Sequence, residues 1–167
     1  MTDTISIITV NYNGFDVTCG MIESLAAHMD TPYELIVVDN GSEKDEATML
    51  AARYPHIRAI RSLQNLGFAG GNNIGMRAAS GRYLFFLNND TKVTEGYLSW
   101  LLKLMDEDPS IGMTGSKLVY PDGRLQEAGG IIWSDASGWN YGRLQDPSLP
   151  EFNYVKDVDY MSGAAIL

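Results

Sequence analysis

Tyr83-Leu84-Phe85-Phe86-Leu87-Asn88-Asn89-Asp90-Thr91 sets five apolar residues directly against four polar ones. Five residues make a strand, and a strand without a polar position is buried on both faces, as in a parallel sheet covered by helices. The break at Asn88 then puts two amides and a carboxylate at the strand's carboxyl end, where open α/β sheets bind their ligands. The same pattern occurs twice upstream. Ile5 to Val10 reads as a strand ending at Asn11-Tyr12-Asn13-Gly14, and Leu35 to Val38 as one ending at Asp39-Asn40-Gly41-Ser42.

Helical spacing fills the intervals. Val17, Met21, Leu25 and His28 recur on one face, Ser42 with Asp45 predicts a capping box for a helix reaching about Arg53, and Asn72 to Ala79 reads as a third helix. Ile57 to Ile60 is a weaker strand. Tyr97, Leu98, Leu101, Leu102 and Met105 share the apolar face of a helix that Pro109 ends. Such alternation predicts an α/β fold with a mostly parallel central sheet and helices on both faces. After about residue 110 the runs shorten (Met113 to Tyr120, Gly129 to Trp133, Tyr154 to Met161), which predicts a mixed or antiparallel extension. Ser162 to Leu167 is apolar and strand-like, so the chain is expected to stop inside an element, as a truncated piece would.

The 167 residues, 45% of them hydrophobic, suffice for one core. Twelve basic residues against 21 acidic give a net charge of −9, which excludes non-specific binding of nucleic acid or anionic lipid through a basic surface. No apolar stretch approaches the ~18 residues of a membrane span. The N-terminus carries no Lys or Arg before Lys44, unlike a secretory signal, and lone Cys19 cannot form an internal disulfide. A cytoplasmic protein is expected, with any membrane association peripheral. Arg53, Arg58, Arg61, Arg77 and Arg82 form a cationic island in a stretch without acidic residues, and are expected to solvate helix faces. His28 and His56 lack metal-ligand spacing, and Ser162-Gly163 lacks a nucleophile elbow.

Three clusters offer chemistry. Asp90 with Asn88 could supply oxygen ligands to Mg²⁺ or Mn²⁺, which take one or two carboxylates and complete their shell with water and phosphate; a helix cap or turn is the alternative. Asp39 could accept from a base imide or a ribose hydroxyl, or could serve a turn. Asn65 to Gly75 combines glycines that allow close backbone approach with the amides of Asn65, Asn72 and Asn73, or else is a loop with an Asn-capped helix. It matches neither G-x-G-x-x-G nor a phosphate loop, which weakens dehydrogenase and ATPase readings.

Taken in order, Ser6 to Asn13, Val37 to Ser42, Asn65 to Gly75 and Phe86 to Thr91 resemble the N-terminal half of a family 2 glycosyltransferase with the GT-A fold. Pro121-Asp122-Gly123-Arg124 and Tyr160-Met161-Ser162-Gly163-Ala164 resemble later landmarks of its rhamnosyltransferase-like branch. The resemblance implies a nucleotide-diphosphate sugar donor, UDP- or dTDP-linked. Thr9, Asn11 and Asn13 would line the nucleotide, Asp39 would contact base or ribose, and Asn65 and Asn72 would close over the nucleoside. Asn88 and Asp90 would occupy the D-x-D positions for a divalent Mg or Mn cation, Asn88 standing where many relatives carry Asp. Residues 1–110 would form the nucleotide-sugar-binding half, and 111–167 the start of the acceptor-side extension of the same domain.

The implied reaction is inverting transfer to a hydroxyl of a saccharide or lipid-linked saccharide, in cell-surface polysaccharide synthesis. The family's general base is expected beyond Leu167, with Asp157 and Asp159 the nearest late carboxylates, so these 167 residues alone are expected to bind donor and transfer sugar negligibly. The alternatives are a sugar-nucleotide pyrophosphorylase, which a missing Gly-rich, Lys/Arg-bearing N-terminal loop disfavours, and a non-catalytic nucleotide-sugar-binding module.

Overall fold

The structure, a computed structural model, describes residues 5–28 and 31–167. β1 (Ile5–Asn11), α1 (Phe15–His28), β2 (Tyr33–Asn40), α2 (Glu46–Arg53), β3 (Arg58–Ser62), α3 (Gly67–Ala78), β4 (Tyr83–Leu87) and α4 (Tyr97–Glu107) alternate as expected. Short strands follow: β5 (Leu118–Val119), β6 (Leu125–Glu127), β7 (Gly130–Ile132), β8 (Gly138–Asn140) and, after a 3₁₀ turn at Pro150–Phe152, β9 (Ala165–Ile166). The main sheet runs β3-β2-β1-β4-β9, its first four strands parallel and β9 antiparallel to β4. β5-β6 and β7-β8 are separate antiparallel pairs, the extension foreseen after residue 110.

Period-two alternation divides the buried strands between two helical layers. Ile5, Ile7, Leu35, Val37, Phe85 and Leu87 join Met21, Ile22 and Leu25 of α1, Leu50 of α2 and Leu98 and Leu101 of α4 in one core. The opposite face, carrying Ile8, Val10 and Val38, is covered by α3, whose glycines bring it unusually close. A Cβ on Gly75 would stand 2.4 Å from Ile8 Cγ2, and one on Gly71 2.8 Å from Val10 Cγ1. This corrects the reading of the glycine-rich stretch: the helix begins at Gly67 rather than Asn72, and two of its glycines serve helix–sheet contact, which outweighs their poor helix propensity.

Other boundaries shift for local reasons. The cap of α2 is Asp45 alone, which accepts from Thr48 N at 3.0 Å, while Ser42 turns back towards β1 and accepts from Asn13 N at 2.8 Å. Tyr154 to Met161 forms no strand and contributes one bridge, Tyr160 to Gly130. Four of the five arginines are held locally: Arg53 pairs with Glu23 and Arg61 with Asp45, each at 2.9 Å, Arg58 donates to Ala78 O, and Arg82 lies over the Tyr83 ring. Cys19 is buried in the core. No helix among the described residues is long and apolar enough to cross a membrane.

Candidate functional site

The strand order brings the ends of β1, β2 and β4 side by side, with β1 between the other two. The crossover after β1 runs to one neighbour, while β4 on its other side is reached only from β3. That is the switch point at which α/β sheets open a crevice.

Two buried polar centres shape the rim. Glu46, in the first turn of α2, accepts through Oε2 from Asn11 Nδ2 (2.7 Å), Gly14 N (3.0 Å) and Ser42 Oγ (3.4 Å). It thereby ties the β1–α1 loop to the β2–α2 loop. Asn40 does the same one loop further on, donating to Asn65 Oδ1 (3.1 Å) and Gly67 O (3.0 Å) and accepting from Leu66 N (3.1 Å). Gly41 permits that closure, since its φ of +83° is left-handed and a Cβ would stand 2.6 Å from Asn65 N.

The eight residues singled out in the sequence take different places around this frame. Thr9 is buried on β1 with its Oγ1 unpartnered. Asn11 has no exposed surface, and both ends of its amide are engaged, its Oδ1 accepting from Thr18 Oγ1 at 2.7 Å. Asp39 is likewise fully buried, accepting from Ser42 N and Ala47 N at 3.2 Å each, so its carboxylate holds the β2–α2 loop and the start of α2. Asn11 and Asp39 thus lie beneath the rim and shape what a ligand would meet. Asn13 is exposed, with φ 48° and its Oδ1 accepting from Glu43 N. Asn65 is exposed and holds Gly67 N as well as Asn40; Asn72 is a buried residue of α3 itself, its side chain donating to Phe68 O one turn earlier.

Asn88 and Asp90 stand at the far side of β1. Asn88 N donates to Ala164 O at 2.9 Å and its carbonyl accepts from Thr91 N, leaving the side chain at the rim. Asp90 is exposed and, among the described residues, engages no other group by hydrogen bond or ion pair. Between them Asn89 Nδ2 reaches Thr18 Oγ1 at 3.0 Å, fastening the turn to α1. Among the described residues no three His, Cys, Asp or Glu side chains cluster. A lone accessible carboxylate with a neighbouring amide suits a hard divalent ion that keeps waters and takes phosphate oxygens, and does not suit a protein-enclosed metal cage.

A further carboxylate went unnoticed in the sequence. Glu127, at the end of β6, is 2% exposed. Its Oε1 accepts from Ser162 N at 3.0 Å, while Oε2 and the nearby hydroxyls of Thr114 and Ser116 are buried without partners. Burial pushes its carboxyl above the usual range, against the opposing effect of the Ser162 bond. From Ser162 the chain passes Gly163, against the Phe68 ring, to Ala164, which holds Asn88 N. Glu127 is therefore linked to the Asn88–Asp90 turn through the three residues Ser162 to Ala164. A hollow of about 610 Å³ lies beside it, walled by Tyr97, Trp100, Leu104 and Met113, and none of the strand-end residues lines it.

Comparisons with known proteins agree with this architecture. The profile of glycosyl transferase family 2 matches residues 6–155. The O-antigen biosynthesis protein RfbC of Myxococcus xanthus is 31% identical over 136 residues, 78% of this chain and 10% of that protein. An uncharacterized glycosyltransferase of Bacillus subtilis, YwdF, is 31% identical over 59% of this chain and 37% of its own length. The chain thus spans well under half of these curated relatives. A mannosyltransferase of Pyrobaculum calidifontis, solved with GDP-mannose and Mn²⁺, superposes with a TM-score of 0.59 at 21% identity, covering 71% of this chain and 36% of that one. The TarS fragment of S. aureus solved with UDP gives 0.54 at 23% identity, over 62% and 32%. The fold is that of GT-A glycosyltransferases, and with nearly the whole chain matched by the family profile, the protein belongs to glycosyl transferase family 2.

Proposed function

We propose that the chain is the donor-binding part of a glycosyltransferase that moves a sugar from a nucleotide diphosphate to a hydroxyl. The observation that carries this reading is Asp90: an exposed carboxylate with no hydrogen-bond or ion-pair partner among the described residues, just past the β4 end, across β1 from the Asp39 loop. Asn13, Asn65 and Asn72 line the nucleotide, with Thr9 buried beneath it and Asn11 and Asp39 fixing the loops there. Asp90 and Asn88 would hold the divalent Mg²⁺ or Mn²⁺, which would supply charge neutralisation for a departing diphosphate. A bound cation also offsets the net charge of −9 that would otherwise oppose an anionic donor.

The chemistry is a single displacement with inversion. The acceptor oxygen bonds to the anomeric carbon as the bond to the diphosphate breaks, and a carboxylate base takes the hydroxyl proton. UDP or dTDP is the expected nucleotide. Residues 1–110 form the donor half and 111–167 the acceptor side. Similarity to an O-antigen biosynthesis protein supports a role in cell-surface polysaccharide synthesis, on a saccharide or lipid-linked acceptor at the cytoplasmic side of the membrane, and the Tyr160 to Ala164 run supports the rhamnosyltransferase-like branch.

Calorimetry and thermal shift with UDP, dTDP and GDP, each with and without Mn²⁺ or Mg²⁺, test the reading. UDP or dTDP at a hundred times its dissociation constant is expected to stabilise the fold by about 2.7 kcal/mol, more weakly without metal. No binding of any nucleotide with metal present would overturn it. Release of nucleoside triphosphate from sugar nucleotide and pyrophosphate would point to a pyrophosphorylase instead.

A further inference from the structure

The β7–β8 hairpin carries two large apolar side chains in the open. Trp133 and Trp139 are 50% and 49% exposed, and their rings lie within 29° of parallel with centroids 6.5 Å apart. Ile131 pairs with Trp139, so alternation sets Ile131, Trp133 and Trp139 on one face. The other face is braced. Gly130 and Gly138 leave room there for the Tyr160 ring, which occupies the space a Gly130 side chain would need, and Tyr160 Oη donates to Asn140 Oδ1 at 2.7 Å. Asp159 secures the edge, its Oδ2 accepting from Ile132 N at 2.8 Å and its N–H donating to Gly130 O. The tip is closed by Trp133 N to Ser137 O at 2.8 Å. The two indoles are therefore presented on a rigid support.

We propose that Trp133 and Trp139 form a stacking platform for neutral pyranose rings of the acceptor saccharide, an assignment that rests on the glycosyltransferase reading above. An indole face is electron-rich and attracts the polarised C–H bonds of a sugar face. Sugars also need hydrogen-bonding edges, and a hollow of about 110 Å³ adjoining Ile131 supplies Tyr141, Lys156, Asp157 and Asp159. The setting is acidic, with Asp135 in the turn and Asp157 and Asp159 alongside, which suits an uncharged polyol and repels anionic lipid headgroups. Two half-exposed indoles offer only about 250 Å², far short of the ~800 Å² per partner of a stable dimer. The hairpin is also tied to the donor rim by the chain: Tyr160, which braces its other face, opens the run that reaches Ala164, the acceptor for Asn88 N, within at most roughly 14 Å.

The test is capture of the chain on an array of neutral hexose and deoxyhexose oligosaccharides, without nucleotide. Wild type is expected to bind, Trp133→Ala with Trp139→Ala to lose at least tenfold in apparent affinity, the paired Phe variants to lose less, and Trp100→Ala, an exposed indole elsewhere, to bind as wild type. No capture on any neutral glycan, or equal capture by the double Ala variant, would overturn the proposal. Co-sedimentation with phosphatidylglycerol vesicles, or a dimer abolished by the double variant, would overturn it in favour of a lipid surface or a second copy. Binding of UDP with Mn²⁺ is measured on the same variants and should not change, so failure of the donor reading is seen separately from failure of the platform.

Discussion

Asp90 and Glu46 show how differently two carboxylates at one rim behave. Asp90 contributes nothing to packing, so Asp90→Ala should leave the melting curve within about 0.5 kcal/mol of wild type while abolishing the response of nucleotide binding to metal; calorimetry with and without Mn²⁺ reads both. Glu46 is the reverse case. Glu46→Ala strands Asn11 Nδ2, Gly14 N and Ser42 Oγ, and should cost about 2 to 3 kcal/mol in urea unfolding, with Glu46→Gln recovering part because an amide oxygen can accept in the same place. The strand-end residues were legible in the sequence because a polar cluster after an apolar run has one place to go. Their division of labour was not. That Asn11 and Asp39 sit under the rim follows from bonds to Glu46 and Ala47, partners that meet only once β1 and β2 are paired.

At the scale of elements, β4 and α4 were readable from local pattern, since an unbroken apolar run and a single apolar stripe leave little for distant contacts to alter; the two buried faces expected of β4 are not found, for Tyr83, Phe85 and Leu87 are buried while Leu84 and Phe86 on the other face are partly exposed. The start of α3 was not, because glycine signals close approach without saying to what. Gly75→Ala should lower stability by about 1 to 3 kcal/mol through its clash with Ile8, despite alanine's better helix propensity. Gly20→Ala, on α1 with no atom within 4 Å of the new methyl, should instead raise it by up to about 1 kcal/mol. Opposite signs in chemical denaturation are the expected result, and equal signs would remove the packing explanation for α3.

Across the whole molecule, Glu127 sets a pH dependence. Burial raises its carboxyl in the fold, so the protonated form is the better accommodated one. Its contribution is fully present below the ordinary glutamate pKa and is lost as pH rises through the folded value. Glu127→Gln should therefore flatten the fall in melting temperature above about pH 4.5, leaving the acid side unchanged. The β9 edge has another consequence. Ala165 and Ile166 must come back from the far end of the chain to find Leu87 and Phe86, and they hold on through a ladder two residues long. Joining distant segments costs entropy that so few bonds barely offset, so this margin should unzip long before the centre of the sheet. Amide hydrogen exchange would show it as fast deuterium uptake at Asn88, Thr114 and Leu167 against slow uptake at Ile7 and Val37. The Asn88–Asp90 turn would then be anchored to the least persistent seam of the sheet, and a ligand bridging that seam would reveal itself as slowed exchange there before any change in the core.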